Sequence, residues 1–157
     1  GVGLGGGISA TQIVSGSLNN LFDDVSSSEA VAGKTDYRCF YVKNTNAIID
    51  FLNSLIYVST ATSSPDTDIE IGLGVAGVSS AEPNIADETD STDEFGTGSL
   101  TGVVFDTAVG VANALSLGDL PQNGSYHAIW VKRVVDAGAV ATAADSSTIT
   151  VQGETTA

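Results

Sequence analysis

Apolar and polar residues alternate with a period of two over several stretches of this chain, and no long amphipathic helix pattern is present, so the pattern predicts strands. The first is residues 36–43, where Tyr37, Cys39 and Tyr41 alternate with Arg38, Phe40 and Val42; both faces carry large side chains and are expected to be at least half buried. The latter half of residues 48–60, ending in Leu55-Ile56-Tyr57-Val58, reads as a second strand, with Pro65 in the turn beyond it. Residues 68–73 alternate strictly, Ile69, Ile71 and Leu73 against Asp68, Glu70 and Gly72, which predicts one dry and one wet face. Further strands are expected at 102–105, 114–117, 125–135 and 147–152, the third being the strongest, with turn chemistry filling 118–124.

Between these runs the pattern changes. Residues 1–17 open with five glycines in the first seven positions and read as an extended arm. Ordering residues 1–7 costs about 1–2 kcal/mol per residue, and Val2 and Leu4 are the sole apolar anchors among those seven. It is therefore expected to lie against a neighbouring subunit, adding backbone hydrogen bonds to an exposed sheet edge, with Ile8 and Ile13 as further contacts. Leu18, Leu21, Phe22 and Val25 have helical spacing and predict one short turn or helix, stopped at residues 26–28. Residues 76–102 are polar and acidic and read as a long loop.

Six to eight short strands separated by turns predict an all-β, immunoglobulin-like β-sandwich, with an arm at 1–17 and a single domain at 18–157. Tyr126, just after a Pro/Gly turn at a strand start, suits a tyrosine corner. In disulfide-bonded sandwiches of this kind Cys39 would pair with the residue two past that tyrosine, where this chain has Ala128.

Composition narrows the function. The length of 157 residues and 42% apolar content suffice for one sizeable core, and the mean hydropathy of +0.20 argues against global disorder. Nineteen acidic against five basic residues leave a net charge of −14, which repels phosphate backbones and excludes a nucleic-acid reader. Lys34, Arg38, Lys43, Lys132 and Arg133 form no basic stripe and read as scattered strand residues. With Cys39 as the one cysteine, neither an intrachain disulfide nor a thiol-metal cluster can form, in keeping with folding in a reducing cytoplasm. No apolar run reaches the roughly 18–20 residues that span a bilayer, and no signal-peptide pattern is visible, so no membrane partner is expected.

No constellation supports an enzyme or a cofactor. Gly1, Gly3 and Gly6 match the spacing of a dinucleotide-binding loop but lack the preceding strand and following helix. His127, the single histidine, falls on a strand, opposite in face to Tyr126 and Trp130, and reads as structural. Neither residues 87–94 nor Asp66, Asp68 and Glu70 match a spaced Ca²⁺ loop, so metal-independent folding is expected. Asn123-Gly124-Ser125 is a glycosylation sequon that turn chemistry explains in full.

Three segments, Leu4-Gly5-Gly6-Gly7-Ile8-Ser9 with Asn20-Leu21-Phe22-Asp23-Asp24-Val25, Asp36-Tyr37-Arg38-Cys39-Phe40-Tyr41-Val42-Lys43-Asn44, and the stretch from Leu117-Gly118-Asp119-Leu120-Pro121 through Trp130-Val131-Lys132-Arg133, together resemble small tailed-phage virion structural proteins. The resemblance implies a non-enzymatic capsid decoration (cement) protein, made in the host cytoplasm and bound to the outer head surface. Its partner would be the major capsid protein or another virion protein, with self-association as a further option. A tail or baseplate protein is the alternative within that class. A secreted filament subunit or a carbohydrate-binding sandwich displaying Tyr57 and Trp130 is the alternative outside it.

Overall fold

A computed structural model describes residues 3–89 and 100–155. It contains helix α1 (Ser27–Ala32) and six strands, β1 (Lys34–Lys43), β2 (Phe51–Thr60), β3 (Thr67–Leu73), β4 (Leu115–Leu120), β5 (Tyr126–Val135) and β6 (Thr148–Thr155). The strands form two antiparallel three-stranded sheets, one ordered β1-β5-β3 and the other β4-β2-β6. The protein is an all-β sandwich.

The alternation read from the sequence dictates which side chains meet between the sheets. Ile56 and Val58 of β2, Leu117 of β4, Ile71 of β3, and Ile129 and Val131 of β5 are buried together, flanked by Phe40, Val42, Ile149 and Val151. Fully burying each such aliphatic side chain contributes about 1.5–3 kcal/mol. The opposite face of β5 is also dry. Ala128 and fully buried Trp130 pack with Cys39, Ile85 and Leu100, and Leu4, Tyr37, Tyr41, Val103 and Phe105 close over them. Residues 76–89 and 100–106 are therefore a covering layer as well as loop, and β5 is enclosed on both sides.

This layer corrects three expectations. The Asp68–Glu70–Gly72 face of β3 is not wet along its length: Gly72 is buried, and a Cβ there would come within 2.6 Å of Val103 Cγ1. Residues 102–105 are not a strand, although Asp106 exchanges two backbone hydrogen bonds with Ile71, at 2.8 and 3.0 Å. The helix lies at Ser27–Ala32, where a stop was expected, because Ser26 Oγ accepts the Glu29 N–H while the Glu29 carboxylate accepts the Ser26 N–H. Leu21 and Phe22 are apolar for another reason, since they pack against the inter-sheet core.

The immunoglobulin-like details take a different geometry. The Tyr126 hydroxyl makes no hydrogen bond among the described residues; its ring packs edge-on against Tyr41, with centroids 5.3 Å apart. Cys39 lies opposite Trp130 on neighbouring strands of one sheet, and Ala128 opposite Tyr41, so Cys39 and Ala128 do not face each other across the sandwich.

Glu82 ties the covering layer down. Its carboxylate is buried, 2% exposed, and accepts hydrogen bonds from Trp130 Nε1 (3.0 Å), the Val75 N–H (2.8 Å) and the Ala76 N–H (3.0 Å). Removing it would leave those donors without acceptors, each at a cost of about 1–3 kcal/mol. Glu82→Ala is expected to lower the unfolding free energy by about 3 kcal/mol or more, read as a drop in the urea midpoint, and Glu82→Gln, which keeps one acceptor oxygen, by less.

Candidate assembly surface

Residues 3–6 do not project as a free arm. The Gly6 N–H donates to the Glu82 carbonyl at 2.7 Å and the Glu82 N–H returns a bond to Gly6 at 3.1 Å, while Tyr41 Oη also donates to the Gly6 carbonyl. The Ile85 N–H reaches the Leu4 carbonyl at 3.0 Å, and the Cys39 N–H reaches Gly3 at 2.5 Å. Gly5, at φ +92°, is so close that a Cβ would overlap the Pro83 carbonyl. The glycines permit close approach of two backbones, and the expectation that Gly-rich residues find too few contacts in their own domain is corrected for residues 3–6.

The chain is clamped again at Leu21–Asp23. Arg133 and Arg38 lie over the Phe22 ring, 4.7 and 5.8 Å from its centroid, while Arg38 Nε donates to the Leu21 carbonyl (3.1 Å) and Arg133 Nη1 to that of Asp23 (2.8 Å). Residues 7–20 are thus a loop with both bases fixed. From residue 9 to 20 every side chain is exposed, including Ile13 (47%), Val14 (64%) and Leu18 (83%), and residues 1–20 carry no charged side chain. Of the contacts expected from sequence, Leu4 is half-buried beside the Trp130 cluster, Ile8 is half-buried, Ile13 is exposed, and Val2 lies outside the described residues.

The cations expected to be scattered are gathered. Arg133 bonds Asp36 Oδ2 through Nε (3.1 Å) and Nη2 (2.5 Å). Lys34 Nζ lies 2.7 Å from Glu29, 3.0 Å from Asp36 and 3.1 Å from Glu88, and Arg38 pairs with Glu88 as well. Lys132 pairs with Glu70 at 3.1 Å. Four of the five basic residues are thereby neutralised within the molecule, which leaves an acidic exterior. Reading 76–102 as a solvated loop hid Glu82 and Glu88, the two acids that fasten it; an available signal was the scarcity of cations and their placement on strands.

The remaining candidates are structural in position. His127 is buried, with Nδ1 3.0 Å from the Ala128 carbonyl. Trp130 is fully buried and Tyr57 is half-buried, its hydroxyl donating to Gln152 Oε1, so the two form no exposed sugar-stacking platform. Asp66 Oδ2 accepts the Val140 N–H and Glu70 holds Lys132. Residues 90–94 of the acidic stretch lie outside the described residues; Asp87 caps Thr89. Among the described residues no group of three or more His, Cys, Asp or Glu side chains is arranged to hold a metal ion, and no helix is long and apolar enough to cross a membrane.

Two chemical consequences are testable. Burial, reinforced by the nearby Glu82 charge, pushes the Cys39 thiol up to about 12, so it stays protonated. Cys39 is expected to resist a thiol reagent at neutral pH and to react fully once the chain is unfolded in denaturant, followed by absorbance. In the ion cluster, hydrogen bonds from Lys34 and Ser26 hold Glu29 at about 2, and Arg38, then Lys34, hold Glu88 below the usual range. Burial opposes the Lys34 charge, but Glu29, Asp36 and Glu88 override it and raise its pKa. Depressed acids contribute stability that is present above 4.5 and is lost as pH falls toward the folded value; the raised lysine contributes stability that is lost only as pH rises through its own raised pKa. Wild type is therefore expected to exceed Lys34→Met by about 1–2 kcal/mol at neutral pH. That gap should close as pH falls from 4.5 toward 2, as measured by denaturant unfolding, with the self-repulsion common to both proteins cancelling.

No protein family, curated protein or solved structure matches the chain.

Proposed function

We propose that this chain is a non-enzymatic structural subunit of a tailed-phage virion, bound to the outer surface of the head as a decoration protein. The observation that carries this reading is the doubly clamped, uncharged loop at residues 7–20, which offers Ile13, Val14 and Leu18 to solvent from an otherwise acidic body. Exposed branched side chains on a fixed-base loop suit docking to a protein lattice, since anchored ends make ordering the loop cost less than ordering a free arm. The acidic exterior suits the outside of a DNA-filled shell and disfavours the inside. The partner in this reading is the major capsid protein or another virion protein, and a tail or baseplate position is its variant. A secreted filament subunit is the second reading, favoured by a β6 sheet edge that no other segment covers among the described residues.

Imaging of purified particles by electron cryomicroscopy is expected to show the protein on the head exterior; its absence, or a place against the packaged DNA, would overturn the reading. Deleting residues 1–14 would also unseat Gly3 and Gly6 from β1 and Glu82, so the cleaner variant is Ile13→Ser/Val14→Ser/Leu18→Ser. Each exposed substitution should change stability by no more than about 0.5 kcal/mol. The triple variant is expected to fold normally and to be missing from particles, as read by mass spectrometry.

A further inference from the structure

The two sheets treat their edges differently. In the β1-β5-β3 sheet both outer strands are covered: on β1 the N–H groups of Tyr37 and Cys39 are taken by the carbonyls of Glu88 (2.6 Å) and Gly3 (2.5 Å), and β3 exchanges bonds with Asp106 through Ile71. In the β4-β2-β6 sheet the outer edges have no such cover among the described residues. The β4 edge is interrupted by Gly118 at φ +72° and by register shifts against β2. The β6 edge is regular over residues 149–152, opposite 55–58, and its sequence, Thr-Ile-Thr-Val-Gln-Gly-Glu-Thr, contains no lysine and no proline. Soluble proteins blunt open edges with lysine, proline or bulges, and β6 has none of these over its regular part.

A segment without backbone–backbone hydrogen bonds among the described residues lies elsewhere on the same chain. Residues 8–13 make no backbone–backbone hydrogen bond among the described residues, and Val14 only accepts one from Ser17, at 3.4 Å. If they extend, Ile8, Ala10 and Val14 fall on one face and Ser9, Thr11 and Ile13 on the other. That division matches β6, where Ile149 and Val151 pack on the core while Thr148, Thr150 and Gln152 alternate with them. Ile8 and Ile13 therefore cannot anchor one strand face together; Ile8 and Val14 can.

We propose that residues 8–14 of one copy add as a strand to the β6 edge of a second copy. The occupant is a second copy because both halves of the contact, a segment without backbone–backbone partners and a regular uncovered edge, stand on the same chain, and charge permits the meeting. Two bodies that each carry −14 repel over most of their surfaces, but the loop has no charged side chain and β6 has one, Glu154, so these two surfaces can meet without like-charge contact. Loop and edge are different surfaces, so the contact is heterologous and propagates into a ring or an open row rather than closing as an isologous pair. This deepens the structural-subunit reading by naming the partner of the exposed loop.

The test uses the full-length purified protein, with buried Cys39 left in place. Thr11→Cys protein is mixed with Thr148→Cys, Thr150→Cys or Gln152→Cys protein under oxidising conditions, the three sites scanning the register. A covalent dimer of mixed composition with at least one of the three, lost when Val14→Asp is added to the Thr11→Cys chain, is the expected result; unchanged melting temperatures show that the variants fold. Dimers formed by the β6 variants alone would overturn the proposal in favour of edge-to-edge pairing of two β6 strands, and absence of any covalent dimer would overturn it outright. Mixed dimers from a protein that is missing from virions would sink the virion reading while leaving this contact intact. Virion incorporation without mixed dimers would do the reverse.

Discussion

The carboxylate of Glu82 sits in the protein interior with no cation within ion-pair distance among the described residues, held instead by one indole and two backbone N–H groups. A buried charge of that kind is tolerable only where donors surround it, and here the three donors come from two different parts of the fold. Trp130 comes from the central strand β5, and Val75 and Ala76 from the segment that leaves β3. The backbone of Glu82 itself holds Gly6, and its N–H is shared between the Gly6 carbonyl and the Tyr41 hydroxyl. The third layer of the molecule depends on this point of attachment. Without that layer the Trp130 face of β5 would lie open to water.

The second constraint is the shortage of positive charge. Nineteen acids and five bases make a molecule that repels itself, and every cation left free on the surface would serve only to reduce that repulsion slightly. Instead Arg38 and Arg133 cover Phe22, Arg133 neutralises buried Asp36, and Lys34 joins the helix, β1 and the covering layer through Glu29, Asp36 and Glu88. Placing cations at junctions between segments lets each one act on several carboxylates in a partly desolvated setting, where screening is weaker than at the surface. The same arrangement leaves the exterior anionic, except over the uncharged loop and β6.

These two features together explain why the sandwich is closed on one side and open on the other. Glu82 and Glu88 bring backbone to the free edge of β1 from the covering layer and from residues 3–6, and Asp106 does the same for β3. Among the described residues no equivalent segment reaches β6. A protein that works alone would gain from hiding such an edge; a subunit gains from presenting it.

The sequence by itself determined the six strands, though it also read 102–105 as one, together with the all-β class and the acidic character, because alternation and charge are local properties that survive any tertiary arrangement. Even the helix was legible in principle, as Ser26 and Glu29 spell a capping box, but the stronger apolar spacing at Leu18, Leu21, Phe22 and Val25 masked it. That spacing reflects Leu21 and Phe22 packing against the core beside two arginines. Only the tertiary structure decided that the second face of β3 would be covered at Gly72, that residues 3–6 belong to the domain, and that Glu82 and Glu88 are fasteners within what reads as a solvated loop. Each of these depends on contacts between residues far apart in the chain, Gly6 with Glu82, Trp130 with Glu82, Arg38 with Glu88. A polar residue in a loop looks the same whether water or a distant backbone meets its hydrogen-bonding groups, so its role is settled by the partner that folding brings to it.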